Sequence, residues 1–338
     1  MSAAVQVGGP WFEDFTPGQV FDESPGMTLT PGHAAVHQAV TGDRLRLALD
    51  AELCRAVTGD ERMLVHPNLV CDLAIGQSTP PTQRVRGNLF YRGLVLERPV
   101  FAGETLRTRT EVVGLKQNRR RPDGSATGLV ALRIRTTDAR GEPLLDFWRC
   151  PMIPLRAPET DTGHADRFDD IPAEVDPAAV EGAVPASWDL GPLREATPGP
   201  HQEDLAAGAA FAVEAGETVT GATELARLTL NVAVAHTDAT GSSHGRRLVY
   251  GGHTIAVAAA HATRAIPAIA TIVAWQGCDH LAPVFEGDVL RTELRVEGME
   301  PRAGGGGLAS LRALVSAVRA GEGEPEPVLD WSFLALVA

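Results

Sequence analysis

Residues 98–114 read RPVFAGETLRTRTEVVG and residues 282–298 read APVFEGDVLRTELRVEG, a constant 184 positions apart. Nine of these 17 aligned positions are identical without a gap, where unrelated segments match at roughly one. The register continues upstream, with Leu64 and Val65 opposite Leu248 and Val249, and Tyr91 opposite Trp275. A repeat of that reach is a duplicated domain, not a duplicated hairpin. With 338 residues and 44% hydrophobic side chains, the chain has material for two such units with buried cores.

Both copies present the same succession of signals. A helix-like stretch comes first, over 31–43 and 220–238, each ending at an aspartate. After a loop comes an apolar stretch of helical character, 67–77 in copy one and the alanine-rich 252–266 in copy two. Strand-like alternation follows through a Pro-Val-Phe-x-Gly turn, with further turns at Pro122-Asp123-Gly124 and 304–307. One apolar helix per copy has to cover one face of that copy's sheet. The pattern therefore implies an α+β tandem (double) hotdog, each unit a curved antiparallel sheet wrapped around one long central helix. We take 1–155 as the N-terminal unit and 201–338 as the C-terminal one. The stretch 156–200, crowded with Pro, Gly and acidic residues and without a sustained period, reads as a linker laid over the surface.

A net charge of −13 argues against nucleic acid as a partner. Cys54, Cys71, Cys150 and Cys278 show no CxxC spacing, and the opening MSAAVQVGGPWFEDF carries no cleavable apolar signal, so we expect free thiols in a cytoplasmic protein. No apolar run reaches the ~20 residues of a membrane span. His33 and His37 lie four apart, but no third ligand accompanies them, so we expect no metal. The run 304–307 lacks the Lys-Ser/Thr of a phosphate loop.

The chemistry concentrates in 231–253, NVAVAHTDATGSSHGRRLVYGGH. His236 and Asp238 stand where a helix-like run gives way to a loop, beside the small residues Ala239, Gly241 and Ser242. A histidine there can take a proton from water near neutral pH. Gly251 and Gly252 open the central helix, whose unpaired N–H groups and partial positive charge suit a thioester oxygen that becomes enolate-like. A histidine near a helix end is, from spacing alone, more often a packing or capping residue.

The segment Asn231-x-Ala-x-x-His236-x-Asp238, followed by Leu248-Val249-Tyr250-Gly251-Gly252-His253, resembles the catalytic half of MaoC-like dehydratases. Together with Trp11-Phe12-Glu13-Asp14-Phe15-Thr16-Pro17-Gly18-Gln19, Glu111-Val112-Val113-Gly114-Leu115-Lys116 and Arg140-Gly141-Glu142-Pro143, it is similar to the double-hotdog mesaconyl-CoA hydratases. The resemblance implies reversible hydration of a short 2-enoyl-CoA, branched or dicarboxylic. It makes His236 the base, Asn231 or Asp238 the residue orienting water, and Gly251 the oxyanion donor. Asn231 stands where the family has an acid, Val234 where it has an arginine and Thr237 where it has an aromatic. In copy one Asp43 keeps the acid, but Ala48 replaces the histidine, so that half is expected to hold substrate.

Arg246 and Arg247, between His236 and the helix glycines, are candidates for a substrate carboxylate or a CoA phosphate, with Tyr250, Gly252 and His253 completing the substrate-binding set. The basic run 116–121 reads as a solvated hairpin tip. An acyl-CoA partner, no cofactor beyond the CoA carrier and a homo-oligomer complete the expectation. Two alternatives remain: a tailoring or binding hotdog acting on CoA- or carrier-protein-bound thioesters without hydration, and, ranked last, a thioesterase.

Overall fold

The computed structural model describes residues 4, 7–240, 242, 244–319 and 324–338. Copy one contains β1 (Val20–Phe21), β2 (Met27–Thr28), α1 (Pro31–Thr41), α2 (Arg46–Leu49), α3 (Ala51–Thr58) and α4 (Pro67–Gln77). Its long strands follow: β3 (Gly87–Leu96), β4 (Thr105–Gln117), β5 (Thr127–Thr137) and β6 (Pro143–Pro154). Two short helices, α5 (Pro177–Ala183) and α6 (Gly191–Glu195), lead to copy two. Copy two contains β7 (Ala210–Thr218), α7 (Ala222–Leu228), α8 (Val234–Thr237), α9 (Gly251–Ala265), β8 (Ile269–His280), β9 (Val289–Pro301), β10 (Gly307–Val318) and β11 (Glu326–Val337).

All long strands join one sheet in the order β1-β4-β5-β6-β3-β8-β11-β10-β9-β7, with β2 beside β4. The order is a palindrome of the duplication, β4-β5-β6-β3 answering β9-β10-β11-β8. The 184-residue offset carries Thr105, the first residue of β4, onto Val289, the first of β9, and both strands run 13 residues. The halves meet where Leu94 and Val95 of β3 pair with Trp275 and Ala274 of β8.

The two central helices fill the inside of this curved sheet. Every residue of α4 is buried, including Asp72 and Gln77, and α9 is buried from Gly252 to Thr263. A helix apolar on all sides needs cover on all sides, and the alanines of α9 let strands approach closely. The N-termini differ. In α4, Pro67 occupies the first turn and His66 accepts a hydrogen bond from Asn68 N, while Tyr250 before α9 caps nothing with its side chain.

Two expectations need correction. The stretch 220–238 is not one helix: α7 ends at Leu228, and α8 resumes only at Val234. The stretch 156–200 is more than a surface strap, because α5 packs against β3 and β8, and Val180, Ala183, Trp188 and Leu193 are buried. Its apolar residues are too few per turn to make a helical period visible among the prolines.

Candidate active site

The break between α7 and α8 builds the site. Asn231 N donates to Ala226 O (2.8 Å) and Leu230 N to Arg227 O (3.2 Å), a Schellman-type stop with Leu230 at φ +59°. Copy one makes the matching turn with Gly42 at φ +69°. A leucine there costs roughly 1–2 kcal/mol in backbone energy, so the surroundings must hold it. Asn231 Oδ1 then accepts from Ala233 N (3.0 Å), as Asp43 Oδ1 accepts from Leu45 N (2.9 Å). The two loops superpose in kind, which makes Asp43 the counterpart of Asn231 and Ala48 the counterpart of His236.

Copy one clamps the loop of copy two. Val232 N donates to Thr79 Oγ1 (3.0 Å) and Val234 N to Gln83 O (2.9 Å). Gly76, near the end of α4, lies so close that a Cβ there would stand 1.7 Å from Thr229 O. Only glycine permits that approach.

The loop faces a cavity of about 310 Å³ walled by both copies. Asn231, His236, Tyr250, Gly251, Thr254 and His280 come from copy two, and Thr79, Thr82, Arg86, Tyr91 and Arg149 from copy one. A smaller hollow of about 160 Å³ shares Val85, Arg86, Ala235, His244 and Leu248 with it and continues it toward Trp11 and Arg84.

His236 is half-buried, and its Nδ1 lies 2.9 Å from Leu248 O. In the neutral ring Nδ1 is therefore the donor, which leaves the Nε2 lone pair free. Burial lowers the pKa of His236, partly offset by the Leu248 bond, so the neutral form dominates at pH 7. The Tyr250 ring stands edge-on to it at 5.5 Å between centroids. Asn231 is buried, with its side-chain oxygen occupied by Ala233 N; the orientation of that amide follows from this bond.

Gly251 opens α9 against the cavity wall, and a Cβ on it would meet His280 Nε2 at 2.5 Å. His280 keeps a face open to the cavity while protein surrounds the rest of its ring; that enclosure, then the neighbouring His236, lowers its pKa to about 4. Behind Tyr250 lies Asp72 of α4, pushed up to about 7 by burial. Its carboxyl adjoins the Tyr250 hydroxyl without reaching the geometry of a full hydrogen bond.

Of the residues singled out from the sequence, the cavity brings together His236, Asn231, Tyr250 and Gly251. Asp238 is exposed and holds the following turn, accepting from Thr240 N (2.8 Å) and Thr240 Oγ1 (2.7 Å). Gly252 packs on Asp72 and Tyr250 at the helix contact. His253 is fully buried and is not among the lining residues. Arg246 stacks over Phe285 at 3.5 Å, and Arg247 pairs with Glu286 at 3.0 Å, both on exposed side chains outside the lining. Gly241 lies outside the described residues. His280, Arg149 and Arg86 are cavity residues that sequence reading missed. A self-alignment would have marked His280 and Arg149, which stand opposite Leu96 and Phe333.

In copy one the corresponding place is filled by side chains. His66, at the position of Tyr250, puts Nε2 3.0 Å from Asp43 Oδ1, and its ring lies 5.2 Å from that of His37. Asp43 is thereby tied to both Leu45 N and His66. Among the described residues no group of three or more His, Cys, Asp or Glu side chains is arranged to hold a metal ion, and no helix is long and apolar enough to cross a membrane.

Residues 2–301 match the family profile described as mesaconyl-CoA hydratase. The chain belongs to the mesaconyl-CoA hydratase family. It is 30% identical to the mesaconyl-CoA hydratase of Cereibacter sphaeroides, over 97% of this chain and 98% of that protein. It is 26% identical to the beta-methylmalyl-CoA dehydratase of Chloroflexus aurantiacus, over 100% and 99%. Among solved structures, a conserved hypothetical protein of Mycobacterium tuberculosis with a double hotdog fold shares 50% identity at a TM-score of 0.90, covering 98% of this chain and 99% of that one. The double hotdog expected from the repeat is thus the fold found.

Proposed function

We propose that this member of the mesaconyl-CoA hydratase family is a hydro-lyase that reversibly hydrates a short 2-enoyl-CoA thioester, branched or dicarboxylic, of the kind named for its relatives. The observation that carries the reading is His236: a neutral imidazole with its tautomer fixed by Leu248 O, set in the wall of a cavity that the N-terminus of α9 also faces.

His236 Nε2 takes a proton from water, and the water oxygen bonds to C3 of the enoyl group. The C2–C3 π electrons shift to the thioester oxygen, and the N–H of Gly251 at the head of α9 steadies the enolate, a donor worth about 3 kcal/mol in comparable oxyanion sites. The enolate collapses as C2 takes the proton back from His236, so water has been added across the double bond and the imidazole is neutral again. Asn231, whose amide nitrogen remains after its oxygen is engaged by Ala233, orients the water. Asp238, engaged with Thr240, has no part in this scheme.

The hollow running past Arg86 toward Arg84 and Trp11 gives the pantetheine and phosphates of CoA a path, with Arg84 stacked over Trp11 at 4.1 Å. The reaction asks for no further cofactor. A second reading is favoured by Asn231, Val234 and Thr237 where the family has an acid, an arginine and an aromatic: a carboxamide in place of an acid cannot move a proton, and a site without hydration would bind CoA- or carrier-protein-bound thioesters.

Following the enoyl-thioester absorbance on mixing the protein with mesaconyl-CoA and with crotonyl-CoA separates the two. We expect loss of absorbance with wild type, faster for mesaconyl-CoA, and a fall of about 10²–10⁴-fold in His236→Ala. No change with either thioester, or full activity in the variant, refutes the hydratase reading.

A further inference from the structure

We propose that Arg149, supplied by copy one, is the specificity-determining residue of the site, its guanidinium receiving the second carboxylate of a short dicarboxylic acyl thioester. This rests on the hydratase reading, in which His236 acts on the enoyl carbons at the same cavity.

Arg149 is 4% exposed and lines the cavity. Its Nη2 donates to two neutral acceptors, Ser78 O (2.7 Å) and Thr82 Oγ1 (2.8 Å), and its Nε has no partner. Among the described residues the ionisable groups acting on it are Tyr91, Tyr250 and Cys150, none of them a carboxylate, in a chain with 43 Asp and Glu. Arginines on the outer face of the same sheet do have such partners: Arg133 pairs with Asp146, Arg135 with Glu111 and Arg312 with Asp330. A buried cation without a counter-charge is strongly unfavourable unless something supplies one. A ligand carboxylate matches the planar fork of a guanidinium, and the two bonds from Nη2 to Ser78 and Thr82 fix its orientation beforehand.

The duplication adds an independent argument. Arg149 pairs across β6 and β3 with Tyr91, and the equivalent register across β11 and β8 pairs Phe333 with Trp275. Phe333 is fully buried and stacks on Trp331 at 3.9 Å between ring centroids. One sequence position is thus aromatic in the half whose sheet faces the histidine-less loop and cationic in the half whose sheet faces His236. A residue needed only for packing would not explain why the charge stands on the side of the working histidine.

The test compares wild type with Arg149→Gln and Arg149→Lys in two assays. Calorimetric binding of the saturated thioesters methylsuccinyl-CoA and butyryl-CoA needs no turnover, and hydration of mesaconyl-CoA against crotonyl-CoA gives the ratio of kcat/KM. We expect wild type to prefer the dicarboxylic member in both. In Arg149→Gln that preference should fall at least about 100-fold, with partial recovery in Arg149→Lys. A preference lost in binding while neither thioester is hydrated would uphold Arg149 and sink the hydratase reading. Hydration with no dicarboxylate preference in wild type, or equal losses for both ligands together with a lowered melting temperature in Arg149→Gln, would mark Arg149 as a strut for Ser78 and Thr82 and overturn the proposal.

Discussion

Replacing Gly76 with alanine should disable the site from 1.7 Å away, the separation its Cβ would have from Thr229 O. To recover even the 3.0 Å that real Cβ contacts essentially never undercut, one partner must retreat by about 1.3 Å. Helix α4 is buried on every side, so the yielding partner is the segment that runs from Thr229 through Asn231 to His236. Among the described residues that segment is hydrogen-bonded to copy one through Val232 N to Thr79 and Val234 N to Gln83. Misplacement of a catalytic group by about 1 Å costs on the order of 100-fold in rate, and overpacking of a filled site about 1–3 kcal/mol in stability. We therefore expect kcat for thioester hydration to fall about 100-fold while the fold survives with a lower melting temperature by circular dichroism. Gly277→Ala on β8 is the control, since nothing lies within 4 Å of its Cβ. Wild-type kcat and melting in Gly76→Ala would show that α4 does not position the loop.

Burial holds His253 at a pKa of about 4 and His37 at about 3 in the folded chain, both below the ordinary imidazole value of 6.5. Below pH 6.5 the unfolded chain takes up protons that the folded one refuses, so the stabilisation present above pH 6.5 is lost as pH falls toward 4. His253 alone should cost about 2 kcal/mol by pH 5, and urea melts at pH 7 and pH 5 that agree would contradict this. Because burial also lowers His236, the acid limb of kcat/KM for hydration should lie below 6.5; a limb above it would exclude His236 as the free base. Gly182→Ala, at an open position inside α5, should raise stability by about 0.5–1 kcal/mol in thermal unfolding, and a loss would mean that α5 is not the ordered helix described.

How much of this was legible in the sequence depends on whether a residue's role is local. The span 67–77 read as a helix is α4 residue for residue, because Pro67 starts it and apolar residues dominate it between Leu69 and Ile75. The break at Leu230 was invisible: a left-handed residue is usually announced by glycine, and copy two uses leucine where copy one uses Gly42. His236, Asn231, Tyr250 and Gly251 were singled out by the family resemblance of one short stretch, and they line one cavity. Arg149 was not, because LLDFWRCPMI reads as a core strand and the charge in it gains meaning only when copy one folds against the loop of copy two. Arg246 and Arg247 were chosen for nearness in sequence, but each already has its own partner in Phe285 and Glu286.

The asymmetry of the two halves follows from how such a site is shared. The loop of copy two lies against copy one, and the repeat gives copy one a matching loop, so a difference at one position of the repeat changes only one of the two places. Around the loop of copy one, Ala48 stands in place of the histidine, His66 stands in place of the tyrosine and pairs with Asp43, and the sheet carries Phe333. Around the loop of copy two, His236 and Tyr250 remain and the facing sheet carries Arg149. Copy one therefore cannot be read as a spent duplicate. It contributes Thr79 and Gln83 to hold the loop, Gly76 to let it approach and Arg149 to the cavity wall, so the cavity beside His236 depends on both halves of the chain.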